Sequence, residues 1–319
     1  MSHRTLFLLR RGILTIPVLF VMSLFVFLIP RLVPGDPVQT LLGLRVDPTL
    51  VHALRHQLGL DQPLTIQYAN WFWGVIHGNL GNDLVTGAPV GELILQRMPV
   101  TLELTLAAMA VSLAIGIPLG VAAATGRKAI RAINEGIVVA GITIPDFWLG
   151  MMLVLLFSGA AHLLPPSGYA PLLTDPFQNL RYFVLPVGAL ALGRIAWISR
   201  TTQSVLEDTL KLPFVVYLRA KGVPEAAVTY SHGLRASAPP IITTIGIQFG
   251  NLLGGAIIVE SLFGLPGLGN LVVRGILDRN YTVIQGSVLV IAALFILVNL
   301  VADLFIGWFD PRAGESMTA

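Results

Sequence analysis

The chain has 319 residues, of which 55% are hydrophobic and 12% charged; 20 Lys and Arg against 17 Asp and Glu leave a net charge of +3, and there is no cysteine. That charge content is about half of a soluble domain's, and a mean hydropathy of +0.78 leaves too little polar surface for a cytosolic enzyme, a disordered chain or a nucleic-acid binder. Disulfides and cysteine catalysis are excluded, and the basic pI fits a small Lys/Arg excess in the cytoplasmic loops of a membrane protein.

A helix needs about 20 apolar residues to cross a bilayer. Six stretches qualify: 12–29, 100–124, 136–158, 182–198, 241–262 and 283–308. The first follows Arg4, Arg10 and Arg11. Its apolar run is longer than a signal-peptide core, and Pro30, Arg31 and Pro34 follow it in place of a small-residue cleavage site, so it reads as a retained transmembrane helix. Residues 31–98 read as an external helical insertion. Asp47-Pro48 can start a helix ending near Gly59, and Gln62-Pro63 another running through Trp71 and Trp73, two aromatics suited to anchoring at the membrane interface. The fourth stretch is the least apolar of the six, being short and holding Pro186 and Arg194. The organisation expected is a tail and first helix over 1–30, the insertion over 31–98, a five-helix core over 99–310 and a tail over 311–319. With the N-terminus inside, the inner segments hold 13 of the 20 Lys and Arg, Arg194 among them. The positive-inside rule therefore sets both termini in the cytoplasm.

The core's inner loop, 199–240, carries the densest charge in the chain. Gly222 can end one helix in a left-handed conformation. Pro224 suits the first turn of the next, where Glu225 complements the positive end. Helix, sharp turn and short helix are expected there, although an ordinary solvated loop satisfies the same composition.

Arg219-Ala220-Lys221-Gly222, then His232-x-Leu234-Arg235, then Pro240 resembles the cytoplasmic loop of binding-protein-dependent ABC importer permeases of the dipeptide, oligopeptide and nickel class. Seven further matches keep the same order. Before the core come Val33-Pro34-Gly35-Asp36-Pro37, Leu58-Gly59-Leu60-Asp61-Gln62-Pro63 and Gly78-Asn79-Leu80-Gly81. Thr101-Leu102-Glu103-Leu104 opens the second helix. Glu260-x-x-Phe263-x-x-Pro266-Gly267-Leu268-Gly269 and Tyr281-x-x-x-Gln285-Gly286 join the last two helices, and Asn299-Leu300-x-x-Asp303 with Asp310-Pro311-Arg312 closes the chain. Leu212-Pro213-Phe214 and Val216-Tyr217-Leu218 depart from the class, as does Ala236.

The resemblance implies an all-α membrane protein with six transmembrane helices of the type I ABC importer permease kind, a helical external insertion and a cytoplasmic coupling helix. It implies a multi-pass protein of the bacterial inner membrane that has no covalent chemistry of its own. No G-x-x-x-x-G-K-[ST] loop is present, so ATP and Mg would be held by two partner ATPase subunits. A second homologous permease, an external substrate-binding protein and lipid complete the implied partners, and no nucleic acid is among them. The coupling loop would consist of Arg219, Ala220, Lys221, Gly222, Pro224, Glu225, His232 and Arg235. Ala220 and Gly222 would allow close approach, Arg219 and Lys221 would pair with acids on the ATPase, and His232 would be structural. Di- and oligopeptides are the substrates first in view; nickel, metal-opine complexes and glutathione are the alternatives. A secondary transporter would need no such loop, and an intramembrane enzyme would need a nucleophile or metal set that the chain does not spell out.

Acids inside a membrane default to function. Asp146, after Pro145 and near mid-helix, has the best claim to line an aqueous path. Glu103 and Glu260, near outer helix ends, are weaker path candidates that pairing could explain, and Asp303 sits near the inner end of the sixth helix. His52 and His56 share a helix face at i, i+4 but lack an evident third ligand, so no metal is expected. Reporter fusions at Asp61 and at Lys221 are expected to read opposite compartments. The same compartment for both would remove the six-span topology.

Overall fold

The computed structural model describes residues 3–32, 38, 48–57, 59–126 and 128–309. The Pro34–Pro37 motif, Leu58, Asp310-Pro311-Arg312 and the Asp303 side chain lie outside the described residues. Eleven helices carry the described fold: α1 His3–Leu32, α2 Pro48–Gln57, α3 Leu64–Ile76, α4 Val90–Thr125, α5 Lys128–Thr143, α6 Asp146–Leu153, α7 Pro176–Thr209, α8 Pro213–Ala220, α9 Ala238–Phe263, α10 Leu268–Leu277 and α11 Tyr281–Phe309. Two π-helical stretches join them, Val154–Ala160 continuing α6 and Ala227–Gly233 leading, through a single α turn, to α9. Among the described residues five helices are long and apolar enough to cross a membrane, or six where α5 with α6 and its π extension counts as one bent span.

Three expectations change. The second stretch begins ten residues earlier than its apolar run, because Pro89 starts α4 at Val90. The third is not one helix: its halves meet at an angle of 104°. The break falls at Ile144-Pro145, where the ring of Pro145 removes a backbone donor and blocks helix continuation. The fourth stretch, with its proline and arginine, is the central element. Of the most apolar 18 residues of α7, 67% are buried, against 22% for α1. Polar residues lowered its hydropathy because it is surrounded by protein rather than by lipid.

The α7 helix packs on α4, α5, α6 and α9. Leu104, Ala108, Phe183, Leu190, Ile198, Leu252, Ala256 and Phe263 form the main core between α4, α7 and α9. Small residues let these backbones meet. A Cβ on Gly120 would stand 2.6 Å from the Ser199 carbonyl oxygen. Outside the core, α1 packs on α11, with Gln285 Nε2 donating to the Phe27 carbonyl, and is also tied to the insertion. Tyr68, Trp71 and Phe72 of α3 make ring contacts with Phe20 and Phe27 of α1. Arg31 donates to Gln67 Oε1 and to the Phe27 carbonyl. Trp71 is thus a packing residue, while Trp73 remains 67% exposed.

The connection between α9 and α11 shows why its motif reads as it does. Glu260 is fully buried. Its Oε1 accepts from Thr101 Oγ1 of α4 (2.7 Å), and Thr101 Oγ1 in turn accepts the Leu268 N–H (2.8 Å). Glu260 Oε2 accepts the N–H of Asn270 (3.1 Å). The carboxyl therefore serves the orphan donors at the start of α10. A Cβ on Gly269 would overlap Ile257 Cα, and one on Gly267 would overlap the Glu260 carboxyl. Farther out, Asn280 Nδ2 donates to Asp83 Oδ1 (2.5 Å) and Thr282 Oγ1 to the Asn82 carbonyl (2.6 Å), closing the loop before α4 onto α11. Glu260→Ala orphans buried donors and is expected to cost at least about 2 kcal/mol, whereas Glu260→Gln keeps an acceptor and costs less. Unfolding midpoints in mixed micelles check the order, and equal midpoints for the two variants would contradict it.

Candidate functional site

The loop between α7 and α9 and the break between α5 and α6 each combine polar chemistry with an open face.

In the loop, Pro213 opens α8 at its first turn, where its missing donor is not needed. Gly222 takes φ +76°. Its N–H reaches the Arg219 carbonyl (3.0 Å) while the Val223 N–H reaches the Leu218 carbonyl (3.2 Å), the paired closure of a Schellman turn. No heavy atom stands within 4 Å of where a Gly222 Cβ would be, so conformation rather than space selects glycine. Arg219 bridges the turn to Glu225 through two hydrogen bonds, Nη2 to Oε1 (2.5 Å) and Nε to Oε2 (3.1 Å). Those bonds hold the Glu225 carboxyl below its ordinary range. The Lys221 ammonium sits 4.7 Å from the centre of the Tyr217 ring.

The inner face of this hairpin is closed. Val215 and Val228 are fully buried, Ser237 Oγ donates to Thr209 Oγ1 (2.9 Å), and Gly233 lies against Leu206 and Leu210. The outer face is open: Leu212, Phe214, Val216, Tyr217 and Tyr230 are all 40% exposed or more, and Ala220, Lys221, Pro224, His232 and Arg235 are exposed. Within the chain Arg219 is engaged by Glu225, while His232 is exposed and makes no hydrogen bond among the described residues. The departures Leu212–Phe214 and Val216–Leu218 supply much of the open apolar face.

At the break, Asp146 is not mid-helix but the first residue of α6, where a carboxylate meets the positive helix end. Its Oδ2 lies 2.5 Å from Nη1 of Arg194, in the middle of α7. The arginine side chain is 8% exposed and the aspartate 24%. Arg194 also donates to the carbonyls of Leu190 and Asn251 (3.2 Å each), and its Nε is buried without a partner among the described residues. Arg194 therefore belongs to the helix interior and not to the inner loop where its charge was counted. Gly255 of α9 completes the pocket: a Cβ there would stand 3.0 Å from Asp146 Oδ2 and 3.1 Å from Arg194 Nη2. Sequence reasoning missed Arg194 as the partner; the signal was an arginine inside an apolar stretch, which needs an acid at matching depth.

The other two acids are held by hydrogen bonds within the chain. Glu260 is sealed in the α4–α9–α10 junction described above. Glu103 Oε1 accepts from Asn179 Nδ2 (2.5 Å) and its Oε2 from Tyr169 (3.4 Å), fastening the segment before α7 to α4. Burial, and then the Glu103 charge, push the Tyr169 hydroxyl above its usual range. On α2, His52 and His56 are exposed, and His56 Nε2 is 4.0 Å from Asp61.

A bent pair of helices, a buried central helix and a helical hairpin with an open outer face mark a polytopic membrane protein. The fold agrees with a solved inward-facing form of the MetNI methionine ABC transporter, at a TM-score of 0.56 and 19% identity over 68% of this chain and 96% of that one. Residues 116–315 match the family described as binding-protein-dependent transport system inner membrane component, and residues 4–105 match its N-terminal companion. The chain belongs to this family, and is a multi-pass inner-membrane permease subunit of an ABC importer. It is 37% identical to the di/tripeptide transport system permease protein DppB of Pseudomonas aeruginosa and to the dipeptide transport system permease protein DppB of Escherichia coli K12. Each match covers 96% of this chain and 98% of the relative.

Removing one member of the Asp146–Arg194 pair leaves an uncompensated charge. Arg194→Leu is expected to cost about 3 kcal/mol or more, and the double variant Asp146→Asn with Arg194→Gln to recover over half of that. Equilibrium unfolding of the single and double variants measures it; additive losses would show that the two side chains are not coupled.

Proposed function

We propose that this chain forms half of a translocation path for di- and oligopeptides delivered by an external binding protein. A second homologous permease supplies the other half, two ATPase subunits supply ATP hydrolysis, and both termini lie in the cytoplasm. The peptide assignment is supported by the dipeptide and di/tripeptide systems of its relatives at 37% identity over nearly the full length. The observation that carries the coupling role is the inner hairpin, clamped at its base and apolar on its free face. That is the form of a helix made to seat in a partner's cleft and to move as a unit with α7 and α9. The ATPase completes that contact through Leu212, Phe214, Val216 and Tyr217, with Lys221 and Arg235 at the rim.

For the path, Asp146 is the side chain we assign. Ile247, Asn251, Gly254 and Ile258 form one exposed stripe on α9, spaced by one helical turn each. Asp146 opens beside it at the level of Asn251 and Gly255. A peptide crossing there would meet one polar notch in an otherwise apolar wall.

In this reading Gly222→Val uncouples ATP hydrolysis from transport. A β-branched residue at φ +76° is strained by about 1–3 kcal/mol, and relief of that strain re-aims the segment after Pro224. Gly222→Asn, which tolerates the left-handed region, is expected to keep most of the transport. Reconstituted complexes, assayed for labelled dipeptide uptake and for ATPase stimulation by the binding protein, check both. Wild-type uptake with normal stimulation in the Val variant would remove this loop as the coupling element, and failure of the wild-type complex to take up any di- or oligopeptide would remove the substrate assignment.

A further inference from the structure

A cavity of about 350 Å³ lies between α5 and α7, near the end of each helix that faces the inner loops. It is not the coupling hairpin, nor the Asp146 notch. Its floor is a chain of hydrogen bonds. Arg131 Nη2 donates to Glu207 Oε1 (2.7 Å), Gln203 Nε2 donates to the same oxygen (2.9 Å), and Asn134 Nδ2 donates to Gln203 Oε1 (2.7 Å). Asn134 is 1% exposed, yet its Oδ1 is buried with no partner. An unpaired acceptor at that burial costs about 1–3 kcal/mol unless something donates to it. Two charged side chains on the cavity wall, Glu135 and Arg200, are exposed and make no ion pair or hydrogen bond among the described residues.

The register orders these groups by depth. Arg131 meets Glu207 and Asn134 meets Gln203, so the helices are antiparallel, with Glu135 close to the level of Gln203 and Arg200 close to that of Val138. Arg200 therefore sits about one turn, or about 5 Å, deeper than Glu135 and Asn134. Deeper still on α5 the surface is apolar and open, with Val139 66% and Ile142 41% exposed. From the membrane interior outward, the wall thus presents hydrocarbon, then a cation, then two acceptors. A phospholipid bearing a primary ammonium presents acyl chain, phosphate and ammonium in that order.

We propose that this cavity binds the headgroup of a zwitterionic phospholipid with a primary ammonium. Arg200 holds the phosphate, and Glu135 with the orphan Oδ1 of Asn134 accepts from the ammonium. The internal Arg131–Glu207 pair leaves one free charge of each sign for the ligand. An anionic headgroup would leave Glu135 opposed to it, and a quaternary ammonium could not donate to either acceptor. The proposal rests on both helix ends lying at one membrane face, and not on which face that is.

The test uses the assembled complex containing the full-length chain. It is titrated with phosphatidylethanolamine, phosphatidylcholine and phosphatidylglycerol of identical palmitoyl-oleoyl chains, and lipid retained on this subunit is read by native mass spectrometry. Phosphatidylethanolamine is expected to be held about tenfold more tightly than either other lipid. Glu135→Gln should abolish the preference over phosphatidylglycerol while leaving phosphate binding, and Arg200→Gln should weaken all three. Both side chains are exposed, so the variants should assemble. Equal retention of the three lipids by the wild type would overturn the proposal, as would an unchanged preference in both variants. Saturation of the site by soluble glycerophosphoethanolamine with the affinity of the lipid would assign it to a free solute instead. Crosslinking of a Glu135→Cys variant, labelled with a thiol-reactive photocrosslinker, to the second permease with no lipid retained would assign it to the subunit interface.

Discussion

A polar group inside an apolar slab must find its partner within the protein, and the Asp146–Arg194 pair is where this chain meets that demand most severely. Arg194 cannot reach water from the middle of α7, so an acid has to be brought to it. Pro145 breaks the third span at that point. The break turns the chain by 104° and sets Asp146 on a helix N-terminus facing the guanidinium. The carbonyls of Leu190 and Asn251 take further donors, and Gly255 keeps α9 close. Three spans are thereby fixed around one charge, and the main apolar core of α4, α7 and α9 is assembled about the same helix. The buried Glu260 does for one end of the bundle what this pair does for its middle: it draws α4, α9 and α10 together by accepting from Thr101 and Asn270.

These two nodes differ in what they allow. Glu260 is fully enclosed and its neighbours Gly267 and Gly269 leave no room for a side chain, so that junction has one arrangement. The Asp146 carboxylate is a quarter exposed and Arg194 keeps an unpaired Nε. A charge pair with an open side and an unused donor can be re-partnered, which the sealed junction cannot. That difference is why Asp146 and not Glu260 is the residue proposed for the path.

The sequence was most legible where a local rule acts alone. Apolar length found the spans, Pro48 and Gln62-Pro63 marked the two insertion helices, and Gly222 with Pro224 marked the inner turn. All of these depend on residues within a few positions of one another. What was not legible depends on partners far along the chain. Glu103 and Glu260 look alike as acids near helix ends. Only the approach of Asn179 to the one and of Thr101 and Asn270 to the other shows that both are spent on packing. The α7 helix looked least like a membrane span because its polar residues face other helices, and hydropathy registers composition, not surroundings. Arg219 illustrates the same limit at short range: a basic residue on an exposed loop read as free, while six residues on, across a turn of known type, Glu225 had already claimed it.

In the coupling role proposed above, the hairpin would pass a push from its partner to the spans through a few fixed contacts. Its fixed parts are few and local: a left-handed glycine, a bidentate ion pair across the turn, two buried valines, and a hydroxyl bridge from Ser237 to Thr209. The bridge and the valines tie it to the ends of α7 and α9, so a push on α8 passes to two spans that also hold Arg194 and its acceptors. The π-helical stretch Ala227–Gly233 lies between the turn and α9. Such a stretch carries looser hydrogen bonding than an α-helix and often marks a functional position. Its place here, after the rigid turn and before the long span, is where a change of helix register would alter α9 without undoing the turn itself. The apolar outer face adds no stability to the isolated chain, since Phe214, Val216 and Tyr217 lie open to solvent. Their burial by a partner would favour whichever arrangement of α7 and α9 presents them best, and that differential contact is what a two-state transporter needs from its energy source.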